Sequence, residues 1–319
     1  MEIKKNRKIL VTGATGYLGS CISSGLERLG LNITRGTRRN IQTDSFNSGN
    51  WVQTNWQDTS LKFLEDFDYI IHAAGPNAII CSENIDLAKN FYEDINILLI
   101  NKLVKEEDKS LILLSTVHIY GSPLSGIITE SDKLTNTHPY VFFRRASERL
   151  FINFIESGDI KGCIFRLGNC FGLKGEAAGD FYELYLNQIC NDILKNKCII
   201  IKSNPMIKRD FFPVDNLQSA IKAVLKDSAK RPVYNLISGQ SRTLLEVAKK
   251  IAFEYHLISG SEAKILFDEK KVKDTPFFEF DPTFCEELIV RDIKNFTFNI
   301  KNTLLALKSN IDLKLELGE

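Results

Sequence analysis

The segment Val11-Thr-Gly-Ala-Thr-Gly-Tyr-Leu-Gly19 constrains the fold more than any other part of this chain. It follows a short apolar run, Lys8 to Thr12, and leads into a helical pattern with Leu18, Ile22, Leu26 and Leu29 on one face. Glycines at 13, 16 and 19 give a strand–turn–helix in which the first glycine permits a tight turn. The second lets the backbone approach a pyrophosphate, and the third lets helix and sheet pack closely. The helix N-terminus then offers free N–H groups and a partial positive charge to phosphates. Gly13, Thr15, Gly16, Tyr17, Leu18 and Gly19 are therefore candidate cofactor-binding residues, the alternative being a plain chain reversal.

The rest of the first half alternates in the same way. Apolar runs at Asn32–Gly36, Trp51–Thr54, Tyr69–Ala73, Leu111–Ser115 and Gly162–Leu167 read as strands. The segments Asn90–Glu106 and the one following Tyr140 read as helices. Strands separated by helices imply a parallel sheet covered on both faces, because parallel neighbours need crossover connections. The expected class is α/β, a Rossmann-type doubly wound sheet with a smaller mixed C-terminal substrate lobe. Residues 1–172 form the dinucleotide-binding part, with 210–240 returning to it, and 173–319 mainly the lobe. Aromatic clusters at Asp180-Phe-Tyr-Glu-Leu-Tyr and Thr275-Pro-Phe-Phe-Glu-Phe suit that lobe.

Charge excludes some functions. Forty-one Lys+Arg against 40 Asp+Glu leave a formal charge of +1, so no global field recruits nucleic acid or an anionic membrane. The apolar run after the charged start is too short for a signal peptide or a membrane span, and a cytoplasmic protein is expected. Seven scattered cysteines without a CxxC pair suit reduced, buried thiols. Four isolated histidines supply no metal shell, so no metal is expected.

In a dinucleotide site the residue ending the second strand selects the cofactor: a carboxylate binds the ribose 2′-hydroxyl, and arginine accommodates a 2′-phosphate. Thr37 stands there, followed by Arg38 and Arg39, which favours NADP(H). NAD(H), with a merely solvated basic turn, is the alternative.

With these features the chain resembles the extended branch of the short-chain dehydrogenase/reductase superfamily, which acts mainly on nucleotide sugars. The resemblance spans about 240 residues. Asp68-Tyr-Ile-Ile-His-Ala-Ala-Gly75 is similar to the family's fourth strand and the loop along the cofactor, which implies contacts from Ala73, Ala74 and Gly75. Asn96 resembles its helix asparagine, and Asn55-Trp56 stands at its adenine position in place of Asp and an aliphatic residue. Ser115-Thr-Val-His-Ile-Tyr-Gly121 resembles the catalytic Ser/Thr segment, with Thr116 at the active position. His138-Pro-Tyr-Val-Phe-Phe-Arg144 occupies the YxxxK position, and Glu148 follows at the usual offset. Arg166-Leu-Gly-Asn-Cys-Phe-Gly172, Arg209-Asp-Phe-Phe-Pro-Val-Asp-Asn216 and Val233-Tyr-Asn-Leu-Ile-Ser-Gly239 resemble later motifs in order.

The resemblance implies Tyr140 as general acid/base and Thr116 as donor to the reacting oxygen. It implies His118, Asn169 and Arg209 on the substrate, with Arg209 at a diphosphate or, alternatively, in a surface pair with Asp210. A nucleotide-sugar substrate and a homodimer through the two long helices follow from it too. Free tyrosine ionises near pH 10, so a tyrosine acting near neutrality needs a cation beside it. The family uses lysine; here Arg144, four residues on, shares the helix face, keeps the charge and does not relay a proton. Three readings follow: a reductase or dehydrogenase tuned to arginine, an epimerase with tightly bound NAD(P), or a cofactor-binding regulator. Val117 and His118 stand where a dehydratase carries Asp-Glu, which weakens that reading, and an NADP preference favours net redox.

Overall fold

The computed structural model describes residues 7–41, 49–104, 106, 108–121, 123–173, 184–289 and 295–317. The residues Asp180 to Glu183 of the first aromatic cluster lie outside them.

Seven strands form one parallel sheet: β1 (Lys8–Thr12), β2 (Asn32–Thr37), β3 (Asn50–Gln53), β4 (Tyr69–His72), β5 (Ser110–Thr116), β6 (Lys161–Leu167) and β7 (Val233–Leu236). Their spatial order is β7-β6-β5-β4-β1-β2-β3. Period two along each strand sends alternate side chains to two separate cores. Ile9, Val11, Ile71, Ile112 and Leu114 face α1 (Tyr17–Arg28). Leu10, Ile70, Leu111 and Leu113 face α2 (Asn96–Leu103) and α3 (Pro139–Glu156). Both faces are buried, which is why these strands read as continuous apolar runs. The result is the doubly wound Rossmann-like sheet.

The order reverses between β1 and β4, and such a switch point opens a crevice at the carboxyl ends of the strands. Thr12 and His72, paired in register there, share a hydrogen bond of 3.0 Å. The Thr12 hydroxyl also accepts from the Ala74 N–H at 3.2 Å, fixing the loop that leaves β4.

The smaller lobe is mixed. Helix α4 (Tyr185–Asn196) packs with α6 (Leu244–Ser259) and α7 (Asn295–Leu317) around a core that includes Phe171, Phe211 and Ile251. Strand 208–213 does not enter the main sheet. It pairs in parallel with 169–171 and antiparallel with 241–243. The chain then returns: α5 (Val214–Asp227) packs on α1, where Gln218 donates to the Cys21 carbonyl, and β7 joins β6 at the sheet edge.

One local expectation needs correction, and one alternative falls away. The helix expected over Asn90–Glu106 begins as a turn of π-helix, Asn90–Ile95, before α2. The widened turn lets Asn96 Nδ2 reach both the Tyr92 carbonyl and the Ser147 hydroxyl, in keeping with the association of π-turns with functional sites. The Arg209–Asp210 surface pair, the alternative to a diphosphate role for Arg209, does not form. The buried Asp210 carboxylate accepts from Ser238 N, Ser238 Oγ and Gly239 N.

None of the seven cysteines is in a disulfide, and six of them are buried. Among the described residues there is no His/Cys/Asp/Glu group able to hold a metal, and no helix is long and apolar enough to cross a membrane.

Candidate active site

The glycine turn is compact because side chains are excluded from it. Gly13 adopts φ +67°, and a Cβ there would lie 2.8 Å from the Ala74 backbone; a Cβ on Gly19 would overlap the Gly13 carbonyl. Turn, helix start and the loop after β4 are therefore in contact. Helix α1 starts at Tyr17 with Gly16 as its cap, no side chain bonded to the first N–H groups and no acidic residue in the first turn. That end is open to an anion. Thr15 and Gly16 are half-buried on this turn. The Tyr17 side chain turns away, and its hydroxyl donates to the Gly172 carbonyl at 2.9 Å. Leu18 lines a cavity described below.

At the end of β2, Thr37 is buried and its hydroxyl accepts from the Arg39 N–H at 3.1 Å. Arg38 and Arg39 are exposed, with no side-chain ion pair among the described residues. Arg35 is a different kind of arginine: buried, it binds both carboxylate oxygens of Glu27, one at 2.6 Å. The adenine-side pair divides as well. Asn55 is exposed, whereas the Trp56 indole is buried edge-on against Phe63, His72 and Phe91 and is not at the surface to meet a base.

Thr116 ends β5, and Tyr140 lies in the first turn of α3, set by Pro139 at its start and by the His138 ring accepting the Tyr140 N–H. Thr116, Tyr140 and Leu18 line one cavity of about 180 Å³. Thr116 Oγ1 accepts from the His118 N–H at 3.2 Å, so its own proton is available to another acceptor. The Arg144 guanidinium donates to the Leu114 carbonyl at 2.8 Å and lies 5.3 Å from the Tyr140 ring centre and 5.0 Å from that of Tyr92. Burial pulls this guanidinium down, but the two phenols raise it, and it stands above the ordinary arginine value. Arg144 Nε is buried without a partner among the described residues. A second cleft is bounded by Gly75, Tyr140 and Arg144 on one side and Leu184 and Gln188 on the other.

The third face of α3 anchors it. Glu148, eight residues after Tyr140, is 1% exposed and receives Arg166 of β6, itself 3% exposed, through Nε at 3.0 Å and Nη2 at 2.8 Å. Arg166 also donates to the Tyr120 hydroxyl and the Glu130 carbonyl.

On the far side of His118 lies a second cavity, also of about 180 Å³, lined by His118, Asn169, Lys208, Arg209, Phe278 and Phe280. Burial, then the charge of Arg209, pushes the His118 imidazole down to about 4, so it is neutral at pH 7. Asn169 donates to the Asp210 carbonyl at 3.0 Å. Arg209 is lowered by burial and donates to the Lys208 carbonyl; among the described residues no carboxylate pairs with it.

Residues 9–236 match the model of the NAD dependent epimerase/dehydratase family. The chain belongs to this family. A Dictyostelium discoideum dTDP-D-glucose 4,6-dehydratase is 24% identical over 77% of this chain and 61% of its own length. Other curated relatives are spanned over about half their length, 54% and 45%. A Kitasatospora kifunensis dTDP-6-deoxy-L-talose 4-dehydrogenase (NAD(P)(+)) is 22% identical over 74% and 75% of the two chains. The fold is that of the Thermus thermophilus UDP-glucose 4-epimerase solved with NAD, at TM-score 0.75 and 18% identity, covering 94% and 99% of the two chains.

A dinucleotide, which the family name implies, fits the residues of this member. The turn that no Cβ can enter meets the backbone of Ala74, α1 starts uncapped, Leu18 of that helix lines the cavity of Thr116 and Tyr140, and Gly75 shares a cleft with Tyr140 and Arg144. Sequence reading missed two residues here: Tyr92 faces Arg144 and Tyr185 lines the Thr116 cavity, and no motif gives them a role, because each arrives through tertiary packing. Ser115, which the Ser/Thr motif contains without a role of its own, lines the same cavity.

Proposed function

We propose that this family member is an NADP(H)-dependent oxidoreductase acting on a keto or hydroxyl carbon of a nucleotide-linked sugar, with Tyr140 as general acid/base. The observation that carries this reading is the meeting of Thr116 and Tyr140 at one cavity with Arg144 against the Tyr140 ring.

A bound nicotinamide would supply or accept the hydride. Tyr140 gives a proton to the substrate oxygen or takes one from it. Thr116, whose oxygen already accepts from His118 N–H, points its own proton at the same oxygen and shares its developing charge. Arg144 remains charged throughout, steadying tyrosinate by Coulomb attraction without exchanging a proton. Arg209, with Asn169 beside it, binds the diphosphate, since an uncompensated guanidinium suits phosphate oxygens. His118, neutral, forms the wall between sugar and diphosphate.

For the cofactor, Gly13, Thr15, Gly16, Leu18 and Gly19 hold the pyrophosphate, with Ala73, Ala74 and Gly75 along its course, and Arg38 with Arg39 takes the 2′-phosphate. Asn96 supports the site from behind. Tyr17 and Trp56 contribute only through their backbone. Residues 1–172, with 210–240, hold the cofactor and 173–319 mainly the substrate. A homodimer through α2 and α3 belongs to the same reading, supported by the exposed Ile97 and Phe142.

The test is turnover of NADPH or NADP by the purified protein with a panel of nucleotide sugars. Net change in the nicotinamide absorbance supports the oxidoreductase. Product without net cofactor change supports an epimerase, and cofactor binding without product supports a regulator.

A further inference from the structure

The Thr116 cavity has a wall that the proposed chemistry does not use. Tyr185 opens α4 and lines this cavity together with Thr116 and Tyr140, its ring tilted against Phe211 at 6.2 Å. Its hydroxyl is buried and has no hydrogen-bond partner among the described residues. A buried tyrosine hydroxyl normally finds one. Ser115 Oγ, on the same cavity, is likewise buried and unpartnered. Around these two hydroxyls the lining is largely apolar, with Leu18, Leu167, Leu184 and Phe211.

We propose that Tyr185 is a specificity residue that hydrogen-bonds a hydroxyl of the sugar ring held between Thr116 and Tyr140. The inference rests on the nucleotide-sugar reading above and assigns it a residue. The distribution of charge favours the sugar over the diphosphate at this wall. Arg209 and Lys208 line the neighbouring cavity across His118, whereas no cation lines this one among the described residues. A ligand portion that satisfies two neutral hydroxyls against an apolar wall is itself neutral and hydroxylated. Burial raises the Tyr185 phenol well above its ordinary value, so it acts as a neutral donor or acceptor and not as a second acid/base. The carboxamide of a nicotinamide shares this hydrogen-bonding chemistry, so the test separates the two.

The variant is Tyr185→Phe, which keeps the ring and its packing. Calorimetric titration compares UDP-glucose with UDP and dTDP-glucose with dTDP, each in the presence of NADP, and NADP is titrated alone. In the wild type the sugar adds affinity beyond the nucleoside diphosphate. The variant loses about five- to tenfold of that increment, the worth of one hydrogen bond, with affinity for UDP, dTDP and NADP unchanged. An unchanged sugar increment overturns the proposal, and a fall confined to NADP affinity reassigns the hydroxyl to the nicotinamide and overturns it too. A wild type that gains nothing from the sugar overturns the nucleotide-sugar reading itself. Thermal unfolding without ligand gives a second readout. An unpartnered hydroxyl predicts that Tyr185→Phe melts at or above the wild-type temperature, and a lower melting temperature marks a structural hydroxyl and contradicts the proposal.

Discussion

The guanidinium carbon of Arg144 lies 5.3 Å from the centre of the Tyr140 ring, one helical turn before it on α3. Tyr92, on the π-turn before α2, closes the other side at 5.0 Å, and the Leu114 carbonyl at the end of β5 holds one nitrogen at 2.8 Å. The charge is fixed from three elements, so arginine here is a built component of the crevice and not a solvated replacement for lysine.

Arg144→Met is expected to lower kcat about a hundredfold or more, the scale of a general acid/base contribution, with NADP affinity reduced as well. Arg144→Lys keeps the charge but gives up the stacking and part of the carbonyl contact, and should stay within about tenfold of wild type. Steady-state kinetics on both variants decides this. Equal loss in both would show that geometry, and not charge, is what Arg144 supplies.

The Glu148–Arg166 pair ties the helix that carries Tyr140 to β6. Glu148→Ala leaves a buried guanidinium uncompensated and should cost about 3–5 kcal/mol in denaturant unfolding. Glu148→Met combined with Arg166→Met should recover much of that loss. A double variant no more stable than the single would contradict the pairing argument.

The sheet and the glycine turn were legible in the sequence because their signals are local. Buried parallel strands leave unbroken apolar runs, the positive φ of Gly13 belongs to the turn itself, and Gly19 is dictated by the Gly13 carbonyl six residues before it. That Tyr140 and Arg144 share a face follows from their spacing alone. Trp56 was not legible, because a neighbouring Phe63, Phe91 and His72 decide that its indole packs inward. Asp210 escaped for a similar reason. Its partners, Ser238 and Gly239, are 28 and 29 residues away, whereas adjacency offered only Arg209 as the alternative partner. The fates of Tyr185 and Ser115 depend on how α4 closes over β5, which no periodicity encodes.

Stability should depend on pH through His72. Burial first, then the charge of Arg144, pushes its imidazole down to about 3 from an ordinary value of 6.5. Between these values the unfolded chain binds a proton that the folded chain refuses, so stability rises with pH across this interval. His72 thus contributes stability in full above pH 6.5, and the contribution is lost as pH falls toward 3. Asp210 has the opposite sign. Burial raises its carboxyl to about 6, so its contribution is greatest below its ordinary value of 3.8 and is lost as pH rises through 6. Comparing unfolding at pH 5 and pH 7 for wild type, His72→Asn and Asp210→Asn checks both. The His72 variant should show less loss at pH 5 relative to pH 7 than wild type, and the Asp210 variant more.

Arg38→Ala should weaken NADP about tenfold, roughly 1.4 kcal/mol, and leave NAD affinity unchanged. Because Arg38 is exposed, the difference should shrink as salt is added. Fluorescence titration of both nucleotides in both proteins measures it, and an unchanged NADP/NAD ratio would remove the 2′-phosphate from Arg38.

The most direct measurement is the turnover of Tyr140→Phe on a nucleotide sugar that the wild-type protein converts, together with its NADP affinity. The account predicts turnover reduced by about a hundredfold or more with cofactor still bound. Turnover retained at the wild-type level would contradict Tyr140 as the acid/base and, with it, the chemistry assigned to the crevice.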